Sequence, residues 1–401
     1  MDISLIRKQL EAFGLSVLLV GALLMGRFQP AVAADSSSPA PPPPLDVIEA
    51  ESDPMLDGLL APRKRGFLGA DGAASVPLGG GRVLWIFGDT LLGTQRDGKR
   101  EGPIVHNTIA IQTTTQDGPG EATFYWDLTD RVPGDFFHPP SFDAPFWYWP
   151  GTGLMHEGRV YVFLTRVVRD AGSGGFAFLP GPCVLVRVNN PSAPPDAWRL
   201  TWTEMGVGDG HFNINAGALI EGEWVYLLGY DDGPDDKPED RAAILARMPL
   251  AALDAPDPGG ALEFWSDGRT WRPRPDALLP LFRPGMTESS LTFDPVRRRY
   301  IAVVIKPFTP DLCLVSAESL TGPWSEPQKI FNIPCLSRHN SVHAYAGRAH
   351  PELSSSPDEL IITYVCNTTD FWSMFGMMDI YYPRFVRVGL APAGAALNEG
   401  R

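Results

Sequence analysis

The sequence predicts an all-β fold, a five-bladed β-propeller of four-stranded antiparallel blades, and three observations carry the prediction. Glycine (41) and proline (40) make up about a fifth of the 401 residues, a composition that interrupts helices and favours short strands joined by turns. One hairpin pattern recurs five times at intervals of 60 to 80 residues, each copy a short apolar strand, a polar or glycine turn and a longer β-branched and aromatic strand. A further pair of strands of common type stands between successive copies. Two packed sandwiches are the competing β architecture, but they give no reason for a fivefold recurrence.

The chain begins with a pattern of export. Arg7 and Lys8 precede an apolar run from Phe13 to Met25, and Ala31, Val32 and Ala33 form a small-residue cleavage site. The run is short for a bilayer span, so residues 1–34 read as a signal peptide, an uncleaved anchor being the alternative, and the mature chain as secreted or periplasmic and free of the membrane. "DSSSPAPPPP" (35–44) reads as a stiff, extended linker. The propeller is expected over 45–395.

The five hairpins are "ASVPLGGGRVLWIFGDT", "TGLMHEGRVYVFLTR", "AGALIEGEWVYLLGYDD", "SSLTFDPVRRRYIAVVIK" and "HPELSSSPDELIITYVCN". Between them lie "NTIAIQTT" with "ATFYWDL", "CVLVRVNN" with "WRLTWTEM", "AILARMPL" with "LEFWSDGRTWRP", and "LCLVSAESLTGPWSEPQKIF". "YYPRFVRVGL" (381–390) is a last strand that could close the ring beside the N-terminal part of the domain. Of the four cysteines, Cys313 and Cys335 are placed in consecutive strands as a candidate disulfide, with Cys183 and Cys366 as small buried residues. Their spacings match no metal motif.

A net charge of −14 repels phosphate backbones and anionic lipid, which argues against nucleic-acid and membrane-surface partners. In a propeller, the start of the innermost strand and the end of the second lie at the same mouth of the channel. A hairpin turning at Gly80 sets Asp71 opposite Asp89, where cross-strand Cβ atoms lie about 4.5 to 5.5 Å apart. The same construction brings Tyr148, Trp149 and Arg166 from blade two, Asn213, Asn215 and Asp231 from blade three, Glu288 and Lys306 from blade four, and His350 and Asn367 from blade five to that rim. Asn107, opening the third strand of blade one, faces it too. Carboxylates, cations, amides and a tryptophan suit a polysaccharide or oligosaccharide, the amides holding hydroxyls and the indole stacking on a ring.

Each residue has a plainer reading. Asp71 and Asp89 could cap turns, Glu288 could pair with Lys306, and His350 could be a satisfied structural histidine. His339 and His343 lack a third ligand and read as structural. No cofactor is expected and no metal site is assigned, a structural calcium being left open; the protein is expected to act as a monomer. "FWSDGRTW" is a contracted, solitary version of a sialidase aspartate box, without an arginine triad.

"GADGAASVPL…GRVLWIFGDTLLG", the asparagine of "HNTIAI", "MTESSLTFDP…YIAVV", "LTGPWSEP", "HPEL…ELIITYVCN" and "YYPRFVRV" together resemble bacterial five-bladed propeller families catalogued as domains of unknown function, whose relatives include endo-D-arabinanases. The resemblance extends from about Gly66 to Val388. It departs at Ala73, where a bulkier residue is expected. It implies a secreted glycoside hydrolase or close relative, with Asp71 and Asp89 matching the acidic pair and Glu288 a third carboxylate.

On this reading the substrate is an arabinose-containing or other furanoside cell-wall polysaccharide. Asp71 serves as nucleophile or as base activating water, and Asp89 or Glu288 as acid. A carboxyl separation of about 5 to 5.5 Å would mean retention and about 6.5 to 9.5 Å inversion. A carbohydrate-binding propeller without turnover is the second reading, and a scaffold that binds no sugar the third.

Overall fold

The computed structural model describes residues 40–115, 118–129, 131–139, 144–169, 178–233, 237–273, 278–337 and 341–392. Residues 1–34, read above as a signal peptide, the first half of the linker (35–39), His339 and residues 393–395 lie outside the described residues. Five antiparallel sheets succeed one another along the chain as the blades of a propeller. Blade one is built from Arg65–Gly79, Arg82–Arg96, Thr108–Thr115 and Gly118–Tyr125, and blade two from Phe146–His156, Arg159–Arg169, Phe178–Val188 and Leu200–Glu204. Blade three comprises Phe212–Glu221, Trp224–Asp231 and Ala242–Pro249, then Glu263–Ser266 and Thr270–Arg272, one strand more than expected. Blade four has Leu291–Asp294, Arg299–Ile305, Asp311–Ala317 and Gln328–Asn332.

Blade five joins both ends of the domain. Val342–Ala349, Glu359–Thr368 and Arg384–Leu390 take as outermost strand Val47–Ser52, which pairs with Arg384–Leu390 from Val47 opposite Leu390 to Ser52 opposite Val386. A short helix, Pro54–Leu60, follows with Asp53 as its cap, the Leu56 N–H donating to Asp53 Oδ1 at 3.0 Å. Arg387 donates to Asp53 and Arg384 to Asp57, so the helix start is tied to the strand it helps to close.

The blades are held by five apolar clusters, each at the junction of two neighbours. Val76, Ile86, Val162 and Val186 join blades one and two, while Phe163, Leu185, Leu227 and Ile244 join two and three. Leu245, Ala302 and Val315 join three and four; Val303, Leu314, Ile362 and Val386 join four and five. Trp85, Phe87, Ile361 and Phe385 close the ring beneath the helix residues Leu56, Leu59 and Leu60. Strand residues alternate between faces, and each blade is covered on both, so its strands read as nearly continuous β-branched and aromatic runs.

The cysteine pairing differs from expectation. Cys335 bonds Cys366, with a Cα separation of 6.6 Å, and Cys183 and Cys313 are buried free thiols. Cys335 sits in the turn Pro334–Ser337 that leads from blade four into the inner strand of blade five, beside the second strand of that blade, which carries Cys366. Cys313 is packed within blade four among Leu228, Ala302 and Val304, and burial pushes its thiol up to about 11.

Candidate active site

The inner strands of the five blades run in the same sense along the channel, and their N-terminal ends frame a cleft of about 540 Å³. Asp71 stands on the inner strand of blade one at a register break. Ala70 pairs with Thr90 and Gly72 with Phe87, leaving Asp71 opposite the two residues Gly88 and Asp89. That bulge is why the two aspartates are neighbours while their side chains leave the regular pleat. The Asp71 carboxyl lies so close over Gly88 that a Cβ there would strike its Oδ1, and Gly72, at φ +82°, would meet the Gly88 nitrogen at 3.0 Å with any side chain. Glycine is required at both.

Each carboxyl has its own donors. Tyr345 Oη, from blade five, donates to Asp71 Oδ2 at 2.8 Å, and Asn367 Nδ2 donates to the same phenol at 3.3 Å. Trp149 Nε1, from blade two, donates to Asp89 Oδ1 at 2.7 Å, with His106 Nδ1 at 3.2 Å from the same oxygen. The His106 ring stacks on Trp147 at 4.5 Å, and its backbone N–H donates to Asp135 Oδ1 at 2.6 Å. Tyr381 Oη donates to the Asp89 carbonyl at 3.0 Å. Arg100, fully buried, holds the loop before Tyr381 through the carbonyls of Met374 (2.9 Å) and Ile380 (2.6 Å), and burial lowers its guanidinium to about 10.

Glu288 reaches the cleft from the segment before the inner strand of blade four. Burial raises the Asp71 carboxyl well above the usual carboxylate range, with the charges of Asp89 and Glu288 adding to it and the Tyr345 and Asp89 backbone hydrogen bonds opposing it. Glu288 is raised too: burial outweighs the attraction of Arg348, and Asp89 adds repulsion. Such a set takes up protons as a unit rather than one residue at a time. Burial and the neighbouring carboxyls keep the Tyr345 and Tyr381 phenols protonated, as neutral donors.

Asn215, Trp149 and Asn367 line the same cleft with Asp71, Asp89 and Glu288. Asn215 Nδ2 donates to Thr165 Oγ1 at 2.9 Å. Five other expected site residues are turned elsewhere. Asn107 is buried between blades one and two, where it donates to the carbonyls of Phe137 (3.0 Å) and Tyr148 (2.9 Å) and accepts the Phe137 N–H (2.6 Å). Asn213 is buried against Thr165 and Gly181. Arg166 pairs with Glu204 in its own blade and lies 4.9 Å over Phe146. Asp231 accepts the Gly233 N–H at 2.9 Å, a turn cap. Lys306 follows the second strand of blade four, does not line the cleft and forms no ion pair with Glu288.

His350 is at the wrong end of the channel for the expected role. "HPEL" is not a strand: the inner strand of blade five is Val342–Ala349, and His350 follows its far end. There the ring is buried between Ser75 Oγ (2.6 Å from Nδ1) and Thr363 Oγ1 (2.7 Å from Nε2).

Residues 55–390 match a family described as a domain of unknown function (DUF5005). The chain belongs to this family. Among solved structures, a candidate hydrolase from Bacteroides ovatus superposes with a TM-score of 0.68 at 17% identity, over 84% of this chain and 90% of that one, a likeness of fold. A family 117 glycoside hydrolase produced by the marine bacterium Zobellia galactanivorans gives 0.45 at 12% identity over 87% and 90% of the two chains. A GH43_1 enzyme from Xanthomonas citri gives 0.45 at 11% over 84% and 91%. No curated protein matches.

In this DUF5005 chain the cleft also contains residues the sequence reading did not assign to it. Tyr345, Arg241 and Phe178 line it from loops or from strand positions whose facing depends on bulges, while His106 and Tyr381 stand behind it and reach Asp89. His106 adjoins Asn107 in "VHNT", and "YY" at 381–382 precedes the closing strand, so both lay within quoted motifs. Arg241 is paired with Asp232 and lies 5.1 Å over Tyr230. His343, read as structural, stacks beside Tyr345 at 5.5 Å and lines the cleft, and burial lowers its pKa.

Proposed function

We propose that this protein is an exported glycoside hydrolase acting on an arabinose-containing or other furanoside polysaccharide. The observation that carries the reading is the meeting of three carboxyl groups from blades one and four in an open cleft, two of them with raised proton affinity. Hydrolysis of a glycosidic bond needs one carboxyl that holds a proton and one that does not. The sugar class rests on the motif resemblance described above.

Asp71 accepts hydrogen bonds from Tyr345 and the Asp89 backbone, which orient it as nucleophile or as base toward water. Glu288 is assigned the acid: burial favours the protonated form of both Glu288 and Asp71, and the Tyr345 and Asp89 backbone hydrogen bonds favour the ionised form of Asp71 when the two share one proton. A proton on Glu288 also removes one of the two charges that raise Asp71, so a single proton in the cluster readies both groups. Asp89, held by Trp149 and His106, positions the pair.

The test is release of reducing sugar from arabinans, arabinogalactans, fructans and xylans. Asp71→Asn and Glu288→Gln are each expected to lower turnover by about 10²–10⁴-fold, the usual span for general acid–base groups. An aryl furanoside with a good leaving group should restore rate to Glu288→Gln alone, since it needs no acid. Folded variants that keep the parent rate would refute the assignment, and glycan binding with no product from any polymer would leave a binding propeller.

A further inference from the structure

The catalytic cleft has a side branch. A recess of about 140 Å³ opens beside blades four and five, and Glu288, Tyr345, His343, Thr287 and Arg241 belong both to its wall and to the wall of the cleft. A cavity of about 150 Å³ takes a ring the size of benzene, so the branch has room for a single ring next to the carboxyl cluster. Its remaining wall includes Pro307 and Phe308, just past the second strand of blade four.

Phe308 is 80% exposed, and it belongs to neither of the apolar clusters that hold blade four. Its backbone sits at φ +59°, a region that bulky side chains enter at a cost and that glycine or asparagine occupies more cheaply. The turn holds it there: the Thr309 N–H and Oγ1 both donate to the Lys306 carbonyl, at 3.2 and 3.0 Å, and the Lys306 N–H donates to the Asp311 carbonyl at 3.1 Å. The fold therefore gains neither burial nor a preferred conformation from the phenyl ring. What the ring has is a place at the recess with most of its surface open, as stacking on the apolar face of a sugar requires. Trp149 and Phe178, edge to face at 4.4 Å, form the aromatic wall of the cleft on blade two. Aromatic rings thus stand on two blades that are not neighbours, and Glu288 lines the space beside both.

We infer that Phe308 is a substrate-binding residue, the platform for one further sugar unit held in the side recess. The inference rests on the carbohydrate reading of the cleft and deepens it: the ligand is a chain long enough to fill cleft and recess together. Calorimetry on the purified full chain carrying Asp71→Asn, which stops turnover, uses linear arabino-oligosaccharides and xylo-oligosaccharides of increasing length. In at least one series, affinity is expected to rise as units are added until the recess is filled. Phe308→Asn, which suits the left-handed turn, should weaken binding of the longest member by about tenfold, the scale of one lost aromatic contact. It should leave the shortest member unchanged. Phe308→Trp, which keeps a ring, should retain the parent's length dependence, and Phe308→Ala covers the case in which Phe308→Asn does not fold. With Asp71 intact, Phe308→Asn should raise the polysaccharide KM and keep kcat, the mark of lost uniform binding. Binding that depends on Phe308 without product from the parent would sink the hydrolase reading and leave the platform standing. Product from the parent, with every oligosaccharide bound equally well after Phe308→Asn or Phe308→Ala, overturns the platform and leaves the hydrolase. Absence of binding by both series overturns the platform as well.

Discussion

Asp71 costs the fold stability in order to be where it is. In an unfolded chain it would lose its proton near pH 4, whereas burial and the charges of Asp89 and Glu288 make the folded site hold that proton to higher pH. Below pH about 4 both states are protonated and nothing is lost; as pH rises through the raised folded value, stability drains away. Asp71→Asn, which keeps the shape without the charge, should therefore melt above the parent at neutral pH, by about 1–2 °C for each kcal/mol relieved in a domain of this size. The gap should close as pH falls toward 4. Melting curves of the pair between pH 4 and 8 check this, and a gap that is absent or independent of pH would show that the carboxyl is not destabilised by its surroundings. The neighbourhood of Asp71 and Asp89 was legible from the count of residues about Gly80. The bulge that leaves Asp71 facing Gly88 and Asp89 was not, because register breaks depend on close packing and not on a two-residue alternation.

Among elements, the link between blades four and five shows where sequence reasoning lost its footing. "HPEL" before a turn looks like a strand, yet the inner strand of blade five is Val342–Ala349, whose alternation is broken by Ala346 at φ +54° and by the shift before Arg348. One misplaced strand moved His350 to the wrong mouth and hid Tyr345 and Arg348. It also hid the disulfide, since Cys366 lies on the strand that passes the turn carrying Cys335. Closing a loop with a sequence separation of 31 residues is worth about 3–4 kcal/mol on the chain-entropy account. The Cys335→Ser, Cys366→Ser double variant should melt below the oxidised parent and be insensitive to reductant, while Cys313→Ser keeps the parent's response. A double variant that melts with the parent would mean that the bond constrains little.

For the whole molecule, the fivefold recurrence was readable because each blade buries both faces and so repeats the same apolar grammar, and the last strand's pairing with the N-terminal part of the domain was readable with it. What the repeat could not convey is direction within the channel. Asn107, Arg166, Asn213 and Asp231 have the right residue types at roughly the right depth, but partners inside or between blades take them up. A polar side chain near the axis meets competing backbone groups, and composition does not say which of them wins.

Closure of the fifth sheet makes neighbours of distant positions. Val47 faces Leu390, and the Ala391 N–H donates to the Asp46 carbonyl at 2.8 Å. A linker of a few residues can therefore splice the two ends together, and new termini can be cut at the exposed turn around Gly222 in blade three. Such a circular permutant is expected to fold and to release the same sugars as the parent, as circular dichroism and the polysaccharide panel would show. Collapse of the permutant would mean that assembly requires the blades to be synthesised in their native order; survival would make the ring a closed loop in which any blade can come first.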